Sequence, residues 1–125
     1  MSYTIPQHIR GDTWDGMEIT INEDGVPVDL TGSVIVMQFR ERADYPEVLT
    51  FSTAFSATSA YSAFTIPQSG MIVVTEPLSG LVTIPELLIE LPPKTYYYDL
   101  QVTFSTGRVR TYLDGTWKIL ADVSN

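Results

Sequence analysis

Apolar and polar positions alternate with a two-residue period through most of this chain, the pattern of strands with one face in a core and one in water. The clearest run begins at Thr95: Tyr96, Tyr98, Leu100, Val102 and Phe104 fall on one side, Tyr97, Asp99, Gln101 and Thr103 on the other. Residues 33 to 41 repeat the pattern, with Ile35, Met37 and Phe39 inward and Gln38 and Arg40 outward. Met17, Ile19 and Ile21 alternate with Glu18, Thr20 and Asn22, and residues 48 to 52 alternate more weakly.

Turn chemistry divides these runs. Asp24-Gly25 supplies the positive φ of a tight hairpin and is followed by a short edge segment at Val26-Pro27-Val28. Asp29 to Gly32 reads as a second turn, and Gly70 and Gly80 bracket a short strand at Met71-Ile-Val-Val-Thr, with Leu81 to Ile84 pairing beyond it. Pro85-Glu-Leu-Leu can open a helical turn that Pro92-Pro93 stops. The C-terminal third reads as a three-stranded meander: Gly107 turns the chain, Val109, Thr111 and Leu113 return, Asp114-Gly115 turns it again, and Trp117, Ile119, Ala121 and Val123 close it.

About seven or eight short strands with frequent turns predict an all-β domain, an immunoglobulin-like antiparallel β-sandwich. The expected division is an N-terminal arm over residues 1–10 and a single domain over 11–125, with a Ser/Ala-rich loop or insertion near 52–70. Val, Ile and Thr are abundant while Lys and Ala are scarce, which favours strands over helices. At 125 residues there is room for one core.

Charge and rare residues narrow the chemistry. Fifteen acidic residues against seven basic give a net charge of -8, the wrong sign for neutralising phosphates, so nucleic acid is not an expected partner. With no cysteine there is no disulfide framework, thiol nucleophile or thiolate metal site, and a single histidine, His8, leaves poly-His metal sites without parts. No apolar run approaches the ~20 residues of a membrane-spanning helix, and the first residues lack the basic and apolar regions of a secretory signal.

Asp12, Asp15 and Asp24 are close in sequence but lack the order of a calcium loop, and serve as turn residues. No nucleophile elbow, phosphate loop or dinucleotide fingerprint is present. The expectation is therefore no catalytic residues, no metal and no cofactor; a hydrolase built on two carboxylates would need a deep pocket and a carboxyl with a raised pKa. Arg10-Gly11-Asp12 spells an adhesion tripeptide, and Gly11-Asp12 already has a turn explanation.

Surface aromatics are the more suggestive feature. Alternation sends Tyr97 to the face opposite Tyr96 and Tyr98, where it can join Tyr112 and Trp117, with Arg108 and Arg110 alongside. These five residues form the candidate contact surface. One register stays open: a two-residue Asp114-Gly115 loop puts Trp117 opposite Tyr112 on the arginine face, whereas a bulge or longer loop sends it to the core. The alternatives for the rings are a sugar-stacking platform, a cross-strand pair that stabilises the sheet, or protein anchors, and the arginines can equally pair with local carboxylates.

Several motifs in order carry a family likeness: Gly11-Asp12-Thr13-Trp14, Pro27-Val28-Asp29-Leu30-Thr31-Gly32, Met37-Gln38-Phe39-Arg40, Gly80 to Pro85, Leu91-Pro92, Tyr98 to Thr103, and Gly107 through Asp122-Val123. Together they resemble the N-terminal domain family of phage baseplate upper proteins and tail-fibre adaptors, over nearly the whole chain, with a longer Ser/Ala-rich stretch near Ala54 to Ser69. The resemblance implies a non-enzymatic, immunoglobulin-like module that docks a fibre or receptor-binding component onto a bacteriophage virion. Its partners would be other tail, baseplate or fibre proteins, with a homo-oligomer within a symmetric assembly as a further expectation, and it would be made in the host bacterial cytoplasm. With no shaft after Asn125, a stand-alone subunit is expected; a head decoration or head-fibre protein is the nearest alternative, and a carbohydrate-binding module the alternative from another class.

Overall fold

The computed structural model describes residues 3–42, 44–53 and 68–121. They form an all-β protein of several sheets, without an α-helix. The strands are β1 (Ile5–Ile9), β2 (Thr13–Trp14), β3 (Met17–Thr20), β4 (Asn22–Glu23), β5 (Val26–Pro27), β6 (Val34–Arg40), β7 (Glu47–Ser52), β8 (Gln68–Met71), β9 (Val73–Glu76), β10 (Leu81–Ile84), β11 (Leu87–Leu88), β12 (Thr95–Thr103) and β13 (Val109–Leu120). Six of them make the main sheet, in the order β1-β13-β12-β6-β7-β8, and β3-β10-β9 make a second. Two-stranded ribbons, β11-β2 and β4-β5, complete the set.

The alternating runs fold as their periodicity requires. Ile35, Met37 and Phe39 are buried on β6, Leu49 and Phe51 on β7, and Tyr96, Tyr98, Leu100 and Val102 on β12, where they meet Val82 and Ile84 from β10 in one core. The Asp24-Gly25 hairpin also forms: both residues have positive φ, 52° and 79°, and join Glu23 to Val26 across a two-residue loop. Leu81 to Ile84 pair with β9 as expected. Phe104 is only half-buried and packs edge-on against Tyr112 at the sheet's end.

Several expectations are corrected. Residues 5–9 are not an arm: β1 pairs in parallel with the end of β13, and Ile5 is core. The main sheet is therefore mixed, with a second parallel pair at β7 and β8. The run 71 to 75 is two strands in two sheets, because the chain crosses at buried Ile72, whose N–H donates to the Ser52 carbonyl at 3.0 Å. Pro85 to Leu88 contain no helical turn; Leu87 pairs with Trp14, and both insert into the core. Most of the Ser/Ala-rich loop lies outside the described residues, although Ser52 closes β7 and residues 68–70 open β8.

The expected three-stranded C-terminal meander is a two-stranded hairpin, because its last two strands are one long strand, β13. β13 runs through Asp114 and Gly115 without turning, and pairs with β12 from Thr95↔Lys118 to Thr103↔Val109. Gly115 meets a different need: a Cβ there would collide with the backbone of Tyr3, which crosses over it and donates its N–H to the Asp114 carbonyl at 2.7 Å. The register slips between Leu100 and Gln101, which face Leu113 and Thr111, leaving Tyr112 as an extra residue. Beyond that bulge Leu113, Trp117 and Ile119 all reach the core.

One sheet edge is closed by a side chain. Gln68 on β8 is fully buried; its Nε2 donates to the Leu88 carbonyl at 2.7 Å and its Oε1 accepts from the Glu90 N–H at 2.9 Å. The amide thus stands in for a strand partner on the edge of the main sheet. Gln68→Leu keeps comparable bulk but strips both backbone groups of their partner, and unmade buried hydrogen bonds cost about 1–3 kcal/mol each. The expected loss of about 2 kcal/mol or more is read by urea denaturation; an unchanged midpoint would contradict this account.

Candidate functional site

The outward face of β6, β12 and β13 is organised in rows. Arg40, Tyr97 and Thr116 stand in register across the three strands, and the next row is Gln38, Asp99 and Asp114. Together with Thr111 these side chains line an open groove of about 440 Å³. Tyr97 is 52% exposed above it.

Electrostatics in the groove are unbalanced. The Arg40 guanidinium is already committed, donating from Nη1 to the Tyr45 carbonyl at 2.7 Å and from Nη2 to Gln38 Oε1 at 2.9 Å, with Glu47 Oε2 3.3 Å away. Asp99 faces Asp114 directly across the strand pair, where like charges oppose each other. Partial burial, opposed by Arg40 and reinforced by Asp114, raises the Asp99 pKa above the usual carboxylate value. Two adjacent carboxylates beside an exposed phenol ring can accept hydrogen bonds or meet a cationic group. Sequence reasoning missed Asp114 as a surface group because Asp-Gly was read as a turn.

The five proposed contact residues do not share a surface. Tyr97 stands alone on the groove face. Tyr112, Arg108 and Arg110 converge on one carboxylate of β4: the Tyr112 hydroxyl donates to Glu23 Oε1 at 2.9 Å, with Arg110 3.2 Å and Arg108 3.8 Å from the same oxygen. Arg110 faces Val102 in register and so lies on the core side of the sheet, opposite Tyr97. Both arginines thus pair with a local carboxylate, and Glu23 is the neighbour the sequence did not reveal. The cluster raises the Tyr112 pKa, through partial burial first and then the hydrogen bond to Glu23.

Trp117 is 0% exposed and cannot serve as a surface contact in this fold. Its ring lies 4.9 Å from Trp14 and 5.2 Å from Phe39 between centroids, and Nε1 donates to the Pro6 carbonyl at 3.0 Å. The stacking platform of Tyr97, Tyr112 and Trp117 is therefore split among two faces and the core.

The remaining candidate groups have structural partners. His8 Nε2–H donates to the Asp12 carbonyl at 2.8 Å beside the Trp117 ring. No group of three or more His, Cys, Asp or Glu side chains able to hold a metal occurs among the described residues. Asp29 caps its turn by accepting the Thr31 N–H at 2.9 Å, and its hydrogen bonds with Thr31 hold its carboxyl below the usual range.

Two phenols fasten other segments of the chain to the sheet. Tyr96 donates to the Pro92 carbonyl and Tyr98 to the Tyr3 carbonyl, both at 2.6 Å. Burial, with Glu41 nearby, pushes the Tyr96 pKa up to about 12; Tyr98 moves in the same direction. An acid whose pKa is higher folded than unfolded holds its proton more tightly in the native state, so its stabilisation is intact below the unfolded pKa of about 10 and is lost as pH rises through the folded value. Urea midpoints should therefore fall between pH 10 and 12 while phenolate absorbance rises on unfolding; stability flat across that window would contradict it. No protein-family model matches the chain, and no curated protein matches it in sequence.

Proposed function

We propose that this chain is a non-enzymatic docking module of a bacteriophage virion, an immunoglobulin-like β-sandwich that joins tail, baseplate or fibre components by protein contact. The ordered motifs from Gly11 to Val123 support it. Three of them fall on core-forming parts of the fold: Met37-Gln38-Phe39-Arg40 on β6, Gly80 to Pro85 around β10, and Tyr98 to Thr103 on β12. The observation that carries the reading is the face of β6, β12 and β13 that nothing covers among the described residues, where the exposed Tyr97 ring stands beside the unbalanced Asp99 and Asp114. A rigid sheet presenting one aromatic ring and two carboxylates suits a polypeptide surface carrying basic residues. Repeated copies around a symmetric particle would multiply a modest contact into firm attachment.

The experiment is mass spectrometry of purified particles from cells producing the phage, followed by cross-linking. The polypeptide should be present at a stoichiometry set by particle symmetry, with cross-links from Lys118 or Lys94 to a tail or fibre protein. Absence from intact particles would overturn the reading, and cross-links to capsid proteins would move the module to the head. Asp99→Asn with Asp114→Asn should weaken attachment by about tenfold or more without unfolding the subunit, since it removes the opposed pair of like charges.

A further inference from the structure

Among the described residues the molecule closes some strand edges and leaves others open. β1 covers β13 only from Trp117 to Leu120, and Tyr3 adds one bond at Asp114. Residues 109–113 have β12 on one side and, among the described residues, no strand on the other. Among the described residues β3, at the edge of the second sheet, is paired on one side only, with β10. The two edges border a common cleft of about 280 Å³, with Ile19, Ile21, Leu100 and Leu113 among its lining and Tyr112 and Arg110 above the Glu23 carboxylate. This contrasts with β8, whose edge the Gln68 amide occupies.

We propose that this cleft accepts an extended strand from a partner polypeptide, pairing with residues 109–113 of β13, inserting apolar side chains toward Leu113 and Ile19, and carrying an Asp or Glu beside Arg108 and Arg110. The free backbone groups of an edge supply main-chain hydrogen bonds, and the apolar floor selects alternate side chains. Charge selects the flank. Two guanidinium groups share the single Glu23 carboxylate, giving a local positive excess on a chain of net charge -8. The proposal deepens the docking reading by naming the form of the partner and rests on it for the partner's existence.

The test is selection of random displayed peptides, long enough to form a strand, on the purified full chain, followed by amide hydrogen exchange with a selected peptide bound. Selected sequences should alternate apolar and polar residues and include Asp or Glu, and binding should slow exchange at 109–113 and 17–20. Arg108→Glu with Arg110→Glu should weaken the peptide by about tenfold or more. Failure to select peptides, protection elsewhere, indifference to charge reversal, or pairing of two copies through this edge would each overturn the proposal. The two readings fail separately: a chain present in particles whose 109–113 amides exchange equally fast when free and when assembled retains docking and loses the strand, whereas a chain missing from particles that still binds acidic strand peptides loses only the virion role.

Discussion

Replacing Trp117 by alanine is expected to lower the unfolding free energy by about 3–5 kcal/mol, the range for deleting a large buried ring. The indole is fully enclosed, touches Trp14, Phe39 and His8, and holds the first strand through its bond to Pro6. Its loss leaves a cavity among rings that cannot collapse without moving β1, and it orphans a carbonyl. Domains of this size have only about 5–15 kcal/mol in hand, so the variant should be close to unfolding at physiological temperature. Tyr97→Ala is the control: the same sheet loses an aromatic from its wet face, and the change should stay within about 0.5 kcal/mol. Denaturant titration of both proteins gives the comparison, and equal costs would show that Trp117 is not enclosed.

Gly16→Ala is expected to cost about 3 kcal/mol, the upper end for a non-glycine residue forced into a left-handed conformation. Gly16 has φ +76°, and an added Cβ would run into the Ile84 carbonyl oxygen and lie 2.8 Å from the Pro85 carbonyl carbon. Both obstacles are backbone of the segment joining β10 to β11, so no side-chain rotation relieves them. The position lies between β2 and β3, where the chain leaves one small sheet and enters another. Gly25→Ala is the comparison, because nothing lies within 4 Å of its added Cβ and only the φ of +79° opposes it. A thermal midpoint for Gly16→Ala no lower than that for Gly25→Ala would refute the collision.

What was legible in the sequence follows from which forces act locally. Alternation on β6 and β12 reports burial of one face, and Asp24-Gly25 reports a backbone conformation, so both were readable. The division of 71 to 75 between two sheets was not, because residues on either side of Ile72 keep an apolar character suited to both. Asp114-Gly115 misled for the converse reason: glycine serves left-handed turns and close backbone approach alike, and Tyr3, the residue that demands the second, is far away in sequence. The contact surface suffered from the same blindness. Nothing around Arg108 or Arg110 announces that Glu23 will meet them, and the bulge that reverses their facing is an accommodation between two strands.

That bulge gives β13 an uneven tolerance to changes of length. Removing a residue elsewhere along the strand would turn over each side chain that follows, sending Trp117 or Leu113 into water. Position 112 is the exception, since Leu100 already faces Leu113 and Gln101 already faces Thr111 without it. Excision there would restore a regular ladder with the indole still enclosed, at the cost of the hydroxyl that grips Glu23. Shortening by one residue is thus a lesion this strand can absorb at a single point, beside the cleft and at the margin of the core.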